Sequence, residues 1–417
     1  MKNSSYEKHW DVPVLILNCK IGALAIMRTL GRLGVPVYGV DDIDNSPALK
    51  SKYLKQYFLK KLDPENPEEY LEFVLALAKI IGKKAVLIPT SDELSVFVAE
   101  YSKQLSADYL FPQNSAELLD QLADKVKMFN LAVENDVPTP HVINPQNIED
   151  VNNALAEIKF PIMLKGIEGN RLLARTGQKM VVVHDEKELL ENYHLLEDPD
   201  NPNLMLQELI PGDDDQVYIF NGYFNENSDC LAAFTGHKVR QYPVHVGCAS
   251  LGECRWHERV AEKTQKLMKT VGYRGILDIG YRLDPRDGRY KVLDINPRVG
   301  QAFRIFVAEN NMDVIRSLYL DLTGQQQPEI VPIEGRRWLI EDCDFISSVD
   351  YFSEGSLSFK EWVTSFKNVR EGAWFCWSDL SPFMVIFWRL IKQILRSIFK
   401  RIRRFFVPDK QAATTTG

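Results

Sequence analysis

The stretch from Tyr273 to Arg304, YRGILDIGYRLDPRDGRYKVLDINPRVGQAFR, constrains the fold more than any other. Ile276 to Leu283 and Arg289 to Ile295 are apolar, β-prone runs, and Asp-Pro-Arg-Asp-Gly between them is turn chemistry, so the stretch reads as a β-hairpin. Its second strand ends Asp294-Ile295-Asn296-Pro297-Arg298. Residues two apart on a strand share a face, so Asp294 and Asn296 present two oxygen donors side by side. Asp278 lies on the first strand. A five-residue loop, Asp284 to Gly288, puts Asp278 opposite Asp294 on that face, whereas a loop with an even residue count puts them on opposite faces. Two carboxylates and an amide oxygen converging beside phosphate suit a hard cation such as Mg²⁺ bridging nucleotide phosphates. Arg298 follows two residues after Asn296 and reaches an anion next to that metal.

Upstream, strand-like and helix-like segments alternate. Val12 to Asn18, Val35 to Val40, Ala85 to Ile88 and Tyr109 to Phe111 read as strands. Gly22 to Leu33, Pro67 to Ile81, Ser91 to Leu105 and Ser115 to Ala123 read as helices between or after them. Such alternation builds a doubly wound parallel sheet. The first βα turn, Asn18 to Gly22, lacks G-x-G-x-x-G, and no GxxxxGK[ST] loop occurs in the chain. Thr90, Ser91 and Asp92 sit where a strand end meets substrate in such folds, although a helix cap explains them better.

The chain breaks at Val137-Pro138-Thr139-Pro140. Phe160 to Lys165 is a strand running into Gly166-Ile167-Glu168-Gly169-Asn170-Arg171, and glycines after a strand that ends in Lys suit a loop folded over phosphates. Met180 to Val183 returns antiparallel to it. Leu204 to Ile210 is a further strand, followed by Pro211-Gly212-Asp213-Asp214-Asp215. Lys238 and Arg240 stand at i and i+2 of an extended segment, which puts two cations on one face.

In this order the pieces resemble the ATP-grasp superfamily, in its carboxylate–amine ligase branch near D-aspartate ligase and the carbamoyl-phosphate synthase large chain. The match runs from Val12 to Thr323. It rests on Asp124-Lys125 before the Pro-broken helix, Pro161 to Gly166, Gln207 to Gly212, and Leu293 to Arg298. The resemblance implies an α/β architecture: a Rossmann-like pre-ATP-grasp domain over 1–120 and a two-lobed ATP-grasp domain over 121–328, split into 121–205 and 206–328. A small extension over 329–380, a basic amphipathic helix over 381–408 and a disordered tail over 409–417 complete the expected layout.

The resemblance also implies roles. Lys125 and Lys165 hold the α- and β-phosphates of ATP. Gly166 to Gly177, with Gly169 inside it, is the mobile loop over the triphosphate. Gln207 accepts from the adenine amino group, Glu208, Leu209 and Ile210 supply the rest of the hinge contact, and Asp214 or Asp215 bonds the ribose. Asp278, Asp294 and Asn296 hold Mg²⁺, or Mn²⁺ in its place. The family more often has Glu where Asp294 stands. Lys238 and Arg240 approach the γ-phosphate or the acceptor carboxylate, and Arg298 steadies the acyl-phosphate. The expected acceptor pocket is walled by Arg171, Arg175, His237, Arg240, His245, Gln301 and Arg304, which favours an acidic or phosphorylated acceptor. The implied activity is an ATP-dependent ligation of a small-molecule carboxylate to an amine. The alternatives are a non-catalytic nucleotide-binding module and an enzyme using another nucleophile, of the carbamoyl-phosphate type.

Charge fits that reading. The 417 residues carry a net charge of −7, which argues against a nucleic-acid partner. The six cysteines show no CxxC and no zinc-site spacing, as expected of reduced thiols in a cytoplasmic protein. The N-terminal MKNSSYEKHWDVP has no apolar signal core, and no uncharged apolar run is long enough to span a bilayer. The aromatic residues Trp338, Trp362, Trp374 and Trp377 are expected in a core. Pro382 to Val407 differs from everything before it, with seven basic residues and no acid. Its cations recur every three or four positions opposite an apolar face, which suits a peripheral helix on an anionic membrane surface, here the inner face, or a partner groove.

Overall fold

β1 (Val14–Leu17) has four apolar residues and no exposed side chain. Val14 and Ile16 enter one apolar cluster and Leu15 and Leu17 another, so the strand is covered on both faces. Only a central strand of a parallel sheet has that environment. In this computed structural model, which describes residues 9–406, β1 pairs in parallel with β2 (Val37–Asp41) and with β4 (Ala85–Pro89). β3 (Leu54–Leu59) and β5 (Tyr109–Leu110) form the edges, in the order β3-β2-β1-β4-β5. β3 is not among the strands expected from sequence: its LKQYFL sequence leaves Lys55, Gln56 and Leu59 exposed, so no apolar run announces it. The helix Pro67–Ile81 starts with Pro in its first turn and stops at left-handed Gly82, as its sequence dictates.

After two helices, Ala116–Ala123 and Lys125–Glu134, the Pro-rich break leads into β6 (Val142–Ile143), β7 (Ile162–Gly166), β8 (Met180–Val183) and β9 (Leu204–Glu208). They form an antiparallel sheet in the order β6-β9-β7-β8. The break also touches the hairpin, because Val292 N–H donates to Pro138 O at 2.8 Å.

The third sheet contains the Tyr273-to-Arg304 hairpin. β10 (Val217–Phe224), β11 (Cys230–Tyr242), β12 (Cys248–Cys254), β13 (Gly275–Asp284), β14 (Arg289–Asn296), β15 (Arg337–Leu339) and β16 (Val369–Gly372) lie in the order β14-β13-β10-β11-β12-β15-β16. The C-terminal segment is thus not a separate layer. Leu339 and Trp338 pair with Leu251 and Gly252, so β15 extends the sheet edge, and β16 extends it again. Trp338 and Trp374 are buried as expected, but Trp377 is 83% exposed.

The two ends of the chain are tied together. Arg28 is almost fully buried and its Nε lies 3.0 Å from Asp379 Oδ2. Arg28 also donates to the carbonyls of Ala373, Trp374 and Asp379. A last helix, Ser381–Phe406, starts from this anchor. The expected tail, 409–417, lies outside the described residues.

Candidate active site

The hairpin turn is one residue shorter than the expected five-residue loop. Asp284 pairs with Arg289, leaving four residues between them. On its own that even count would turn Asp278 away from Asp294. A β-bulge restores the alignment: Tyr281 pairs with Val292 but Gly280 pairs with Asp294, so Leu293 is the extra residue. Asp278 therefore stands opposite Asn296, not opposite Asp294, and Asp294 lies on the diagonal across from Gly280. All three side chains share one face.

That face is organised by short polar contacts. Asn296 Nδ2 donates to Asp294 Oδ2 at 3.1 Å and to the Asp278 carbonyl at 3.2 Å. Arg298 donates to Asn296 Oδ1 at 2.9 Å. Gly300 packs so closely that a Cβ there would stand 2.1 Å from Asp278 Oδ2, so any larger residue would displace the carboxylate. A Cβ at Gly280 would meet nothing within 4 Å, which leaves open space beside Asp294. Burial, with Asp294 nearby and Arg298 and Lys238 opposing, pushes the Asp278 carboxyl up to about 6. Among the described residues no cage of three or more His, Cys, Asp or Glu side chains exists. Two carboxylates and one amide are instead the sparse oxygen set that suits Mg²⁺, which keeps waters and phosphate oxygens for its remaining positions. The donor chemistry fits the ion.

Cations face this set. Lys165, near the end of β7, is lowered to about 8 by burial and by its neighbours Lys125 and Lys238, with Asp294 acting the other way. Lys125 opens its helix, capped by Asp124, and its Nζ donates to Ile167 O at 2.8 Å. A Cβ at Gly169 would lie 3.9 Å from that Nζ, and one at Gly166 would strike Leu172 at 2.9 Å. The expected loop from Gly166 to Gly177 is mostly helix. Gly169–Thr176 is helical and ends at left-handed Gly177, since Arg171 to Arg175 are good helix formers. Arg171 bonds Glu168 and Asn201 O, and Arg175 bonds Leu196 O, so both are engaged with their own lobe instead of an acceptor pocket.

The hinge comprises β9 and the turn after it. Gln207 is 3% exposed, and its Oε1 is buried with no partner among the described residues. A buried amide oxygen without a donor is costly unless something fills the site, and an adenine amino group is such a donor. The Glu208 carboxylate accepts from His141 N–H and pairs with Arg286 and Lys291 of the hairpin. Leu209 and Ile210 leave the sheet, with Ile210 buried. Asp214 accepts from Gln241 Nε2 at 2.9 Å, from Tyr351 and from His245, so both its oxygens are occupied by protein donors. Asp215 is exposed and bonds only Gln216.

β11 corrects the expected pair of cations. From the register, Asp278, Asn221 and Phe234 share a face, and Lys238 lies on it two pleats further on. A β-bulge follows, with Lys238 opposite Gly252 and Arg240 opposite Leu251. Lys238 Nζ donates to Gly247 O at 2.8 Å and approaches Gln241 Oε1 at 3.3 Å. Arg240 turns to the other side, where Asp344 holds it with two bonds of 2.9 and 2.8 Å. Arg240 is thus removed from the candidate catalytic set. Arg304, expected in the wall of the acceptor pocket, is instead bound to Asp313 and Glu371 in the interior. His237 lies on the opposite face from Lys238, against Tyr218. His245 joins Asp214 and Glu354. Gln301 lies against Gly22 of the first βα turn, 3.6 Å from where its Cβ would be.

One partner comes from the N-terminal sheet. Asp92, in the first turn of the helix after β4, places Oδ1 3.0 Å from Arg298 Nε. The sequence marks Asp92 as a strand-end residue but gives no sign of its pairing, because 206 residues separate the two.

No family model matches the chain. A D-aspartate ligase from Enterococcus faecium is 25% identical over 332 residues, covering 75% of this chain and 77% of that protein. An ADP complex of N5-carboxyaminoimidazole ribonucleotide synthetase superposes with a TM-score of 0.61 at 16% identity, covering 78% of this chain and 81% of that one. An L-amino acid ligase from Bacillus licheniformis gives 0.57 at 15% identity, over 79% of each chain.

Proposed function

We propose that this ATP-grasp chain, of the carboxylate–amine ligase branch, joins a small-molecule carboxylate to an amine at the expense of ATP. The observation that carries the reading is the shared face of Asp278, Asp294 and Asn296, set beside half-buried Lys165 and Lys238. Oxygen ligands and ammonium groups meeting in one cleft suit phosphoryl transfer and little else.

In our reading Lys125 and Lys165 hold the α- and β-phosphates, and the segment 166–177 covers them. Gln207 Oε1 accepts from the adenine amino group, and the backbone of Glu208, Leu209 and Ile210 lines the hinge. Asp215 is our choice for the ribose hydroxyls, because Asp214 is already satisfied. Asp278, Asp294 and Asn296 would hold Mg²⁺, or Mn²⁺, which when bound neutralises the phosphate oxygens. Lys238 orients the γ-phosphate toward the acceptor. The acceptor carboxylate oxygen bonds the γ-phosphorus and ADP leaves, giving an acyl-phosphate. The amine nitrogen then bonds the acyl carbon and inorganic phosphate leaves. Arg298 bonds the phosphate oxygens through both steps. We place the reaction in the cytoplasm, where ATP is supplied and the six free cysteines stay reduced.

The test is ADP release across a matrix of carboxylates and amines, followed by product mass. A pair-dependent burst of ADP with a product lighter than the two substrates by one water is expected. ADP release that needs no amine, or a phosphorylated product that accumulates, would sink the ligase reading.

A further inference from the structure

Among the described side chains of the helix Ser381–Phe406, one apolar face packs on the protein and another is exposed. Pro382 and Ile386 are buried, and Phe383 and Leu390 are partly buried against the core beside the turn Pro47–Lys50. The helix root cannot drift, because Asp379 is held by Arg28, by Ser51 Oγ at 2.8 Å and by Lys52 N–H at 2.9 Å. Among the described side chains, Leu390 is the last on this inward face. In the sequence, steps of three or four from Leu390 lead to Gln393 and Ile394 and then to Ser397, Arg401 and Arg404, so polar residues predominate on this side.

The outward face does not end there. Met384, Phe387, Trp388 and Leu395 are exposed at helical spacing, Trp388 by 54%. Just before the helix, Trp377 is 83% exposed and Leu380 stands beside it in sequence. In the sequence the same spacing runs on through Ile398, Ile402 and Phe405. Lys392 and Arg396 flank the stripe and are exposed, and Lys400 and Arg403 continue their spacing. No acid occurs between Leu380 and Val407, in a chain whose net charge is −7.

We infer that the outward face docks on an anionic lipid surface, with the helix lying in the plane of the headgroups. Three observations choose that occupant. Exposed tryptophans beside an apolar stripe match the headgroup boundary, where an amphipathic ring is at home. The flanking cations have no acidic partner on their own segment, and a second copy of the helix would set one cationic strip against another. No described helix is long and apolar enough to cross a bilayer, so the helix lies on the surface. The Arg28–Asp379 anchor fixes its root to the N-terminal sheet, so docking holds the ligase at the membrane in one orientation.

Flotation of the full chain with vesicles of phosphatidylglycerol and phosphatidylcholine, against phosphatidylcholine alone, tests the inference. Binding only to the anionic vesicles, weakened by salt, is expected. Trp377→Ser with Trp388→Ser should abolish flotation while ATP turnover without vesicles stays unchanged. Lys392→Gln, Arg396→Gln and Lys400→Gln together should weaken partitioning roughly a hundredfold. Failure to float, equal flotation on neutral vesicles, or a wild-type dimer that the Trp variant splits would each overturn the proposal.

Discussion

Arg298 Nε stands 3.0 Å from Asp92 Oδ1, joining the end of the strand that carries Asp294 and Asn296 to the first turn of the helix that follows β4. The pair has a directional consequence. Burial works against charge on Arg298, but Asp92, Asp278 and Asp294 together outweigh it. Of the three carboxylates, Asp92 is the one in ion-pair contact with the guanidinium, and it holds Arg298 together with Asn296 Oδ1. Without it, Arg298 would settle on Asp278 and Asp294 and compete with the cation. Asp92→Ala should therefore raise the Mg²⁺ concentration needed for half-maximal ATP turnover and lower kcat by about tenfold to a hundredfold. Asp92→Asn should fall between. A magnesium titration of turnover checks it; an unchanged Mg²⁺ midpoint would reduce Asp92 to a structural residue.

Lys165 gives a pH dependence whose sign is fixed. Burial lowers it from 10.5 to about 8, so the unfolded chain holds this proton over a window where the folded chain has lost it. On this group alone stability rises with pH between about 8 and 10.5. Nucleotide phosphate reverses the shift by favouring the ammonium. MgATP binding at pH 9 should then take up a proton, measured by calorimetry in two buffers of different ionisation enthalpy. Lys165→Met should abolish the uptake and weaken ATP by about 1.5–3 kcal/mol, the usual worth of a charge-assisted bond. Equal proton uptake in the variant would show that another group titrates.

How much of this was legible in the sequence depends on the distance between partners. Asp294 and Asn296 share a face because strand periodicity is local, and that was readable from five residues. Asp278 lies on the face the sequence predicts but stands opposite Asn296, not Asp294. The turn is one residue shorter than Asp-Pro-Arg-Asp-Gly suggests, and the bulge at Leu293 puts back what the shorter turn removes. A bulge is set by cross-strand pairing, so nothing near Leu293 announces it. Arg240 and Arg304 misled for the same reason. Asp344 lies 104 residues from Arg240 and Glu371 lies 67 from Arg304. A cation looks available until its buried partner is known. The glycines of residues 166–177 suggest a loop, but Asn170 to Thr176 contains none and the helix forms there.

Gln207 offers a test of base recognition separable from folding. Its Oε1 is buried without a donor, so the amide adds nothing to the stability of the unliganded protein. Gln207→Leu removes the orphan acceptor at similar volume. Thermal unfolding should stay level or rise slightly. The KM for ATP should increase about tenfold to a hundredfold, corresponding to ~1–3 kcal/mol for an unmade bond to the adenine amino group. Preference for ATP over GTP should shrink with it, since guanine presents a carbonyl at that position. Competition kinetics with the two nucleotides measure both, and an unaltered ATP/GTP ratio would place the base elsewhere.

Arg240 and Lys238 should separate stability from turnover on one strand. Arg240 is 3% exposed, its partner Asp344 is 1% exposed, and Ser250 also donates to that carboxylate. Arg240→Ala leaves Asp344 charged and buried, a defect that costs about 3–5 kcal/mol. The double variant Arg240→Met with Asp344→Leu removes both charges and should recover most of that loss, because a buried ion pair is often replaceable by packed apolar groups. Its ATP turnover should be near wild type. Lys238 is the reverse case. Its ammonium is lowered by burial and faces the field of Asp278 and Asp294, and it meets only a carbonyl and an amide oxygen. Lys238→Met relieves that burial and should leave the melting temperature level or higher. It should lower kcat by about a hundredfold or more, as expected where one charge-stabilising donor is lost. Denaturant unfolding and ADP release on the same three variants decide between the roles. Turnover lost in the double variant at wild-type stability would return Arg240 to the reacting groups.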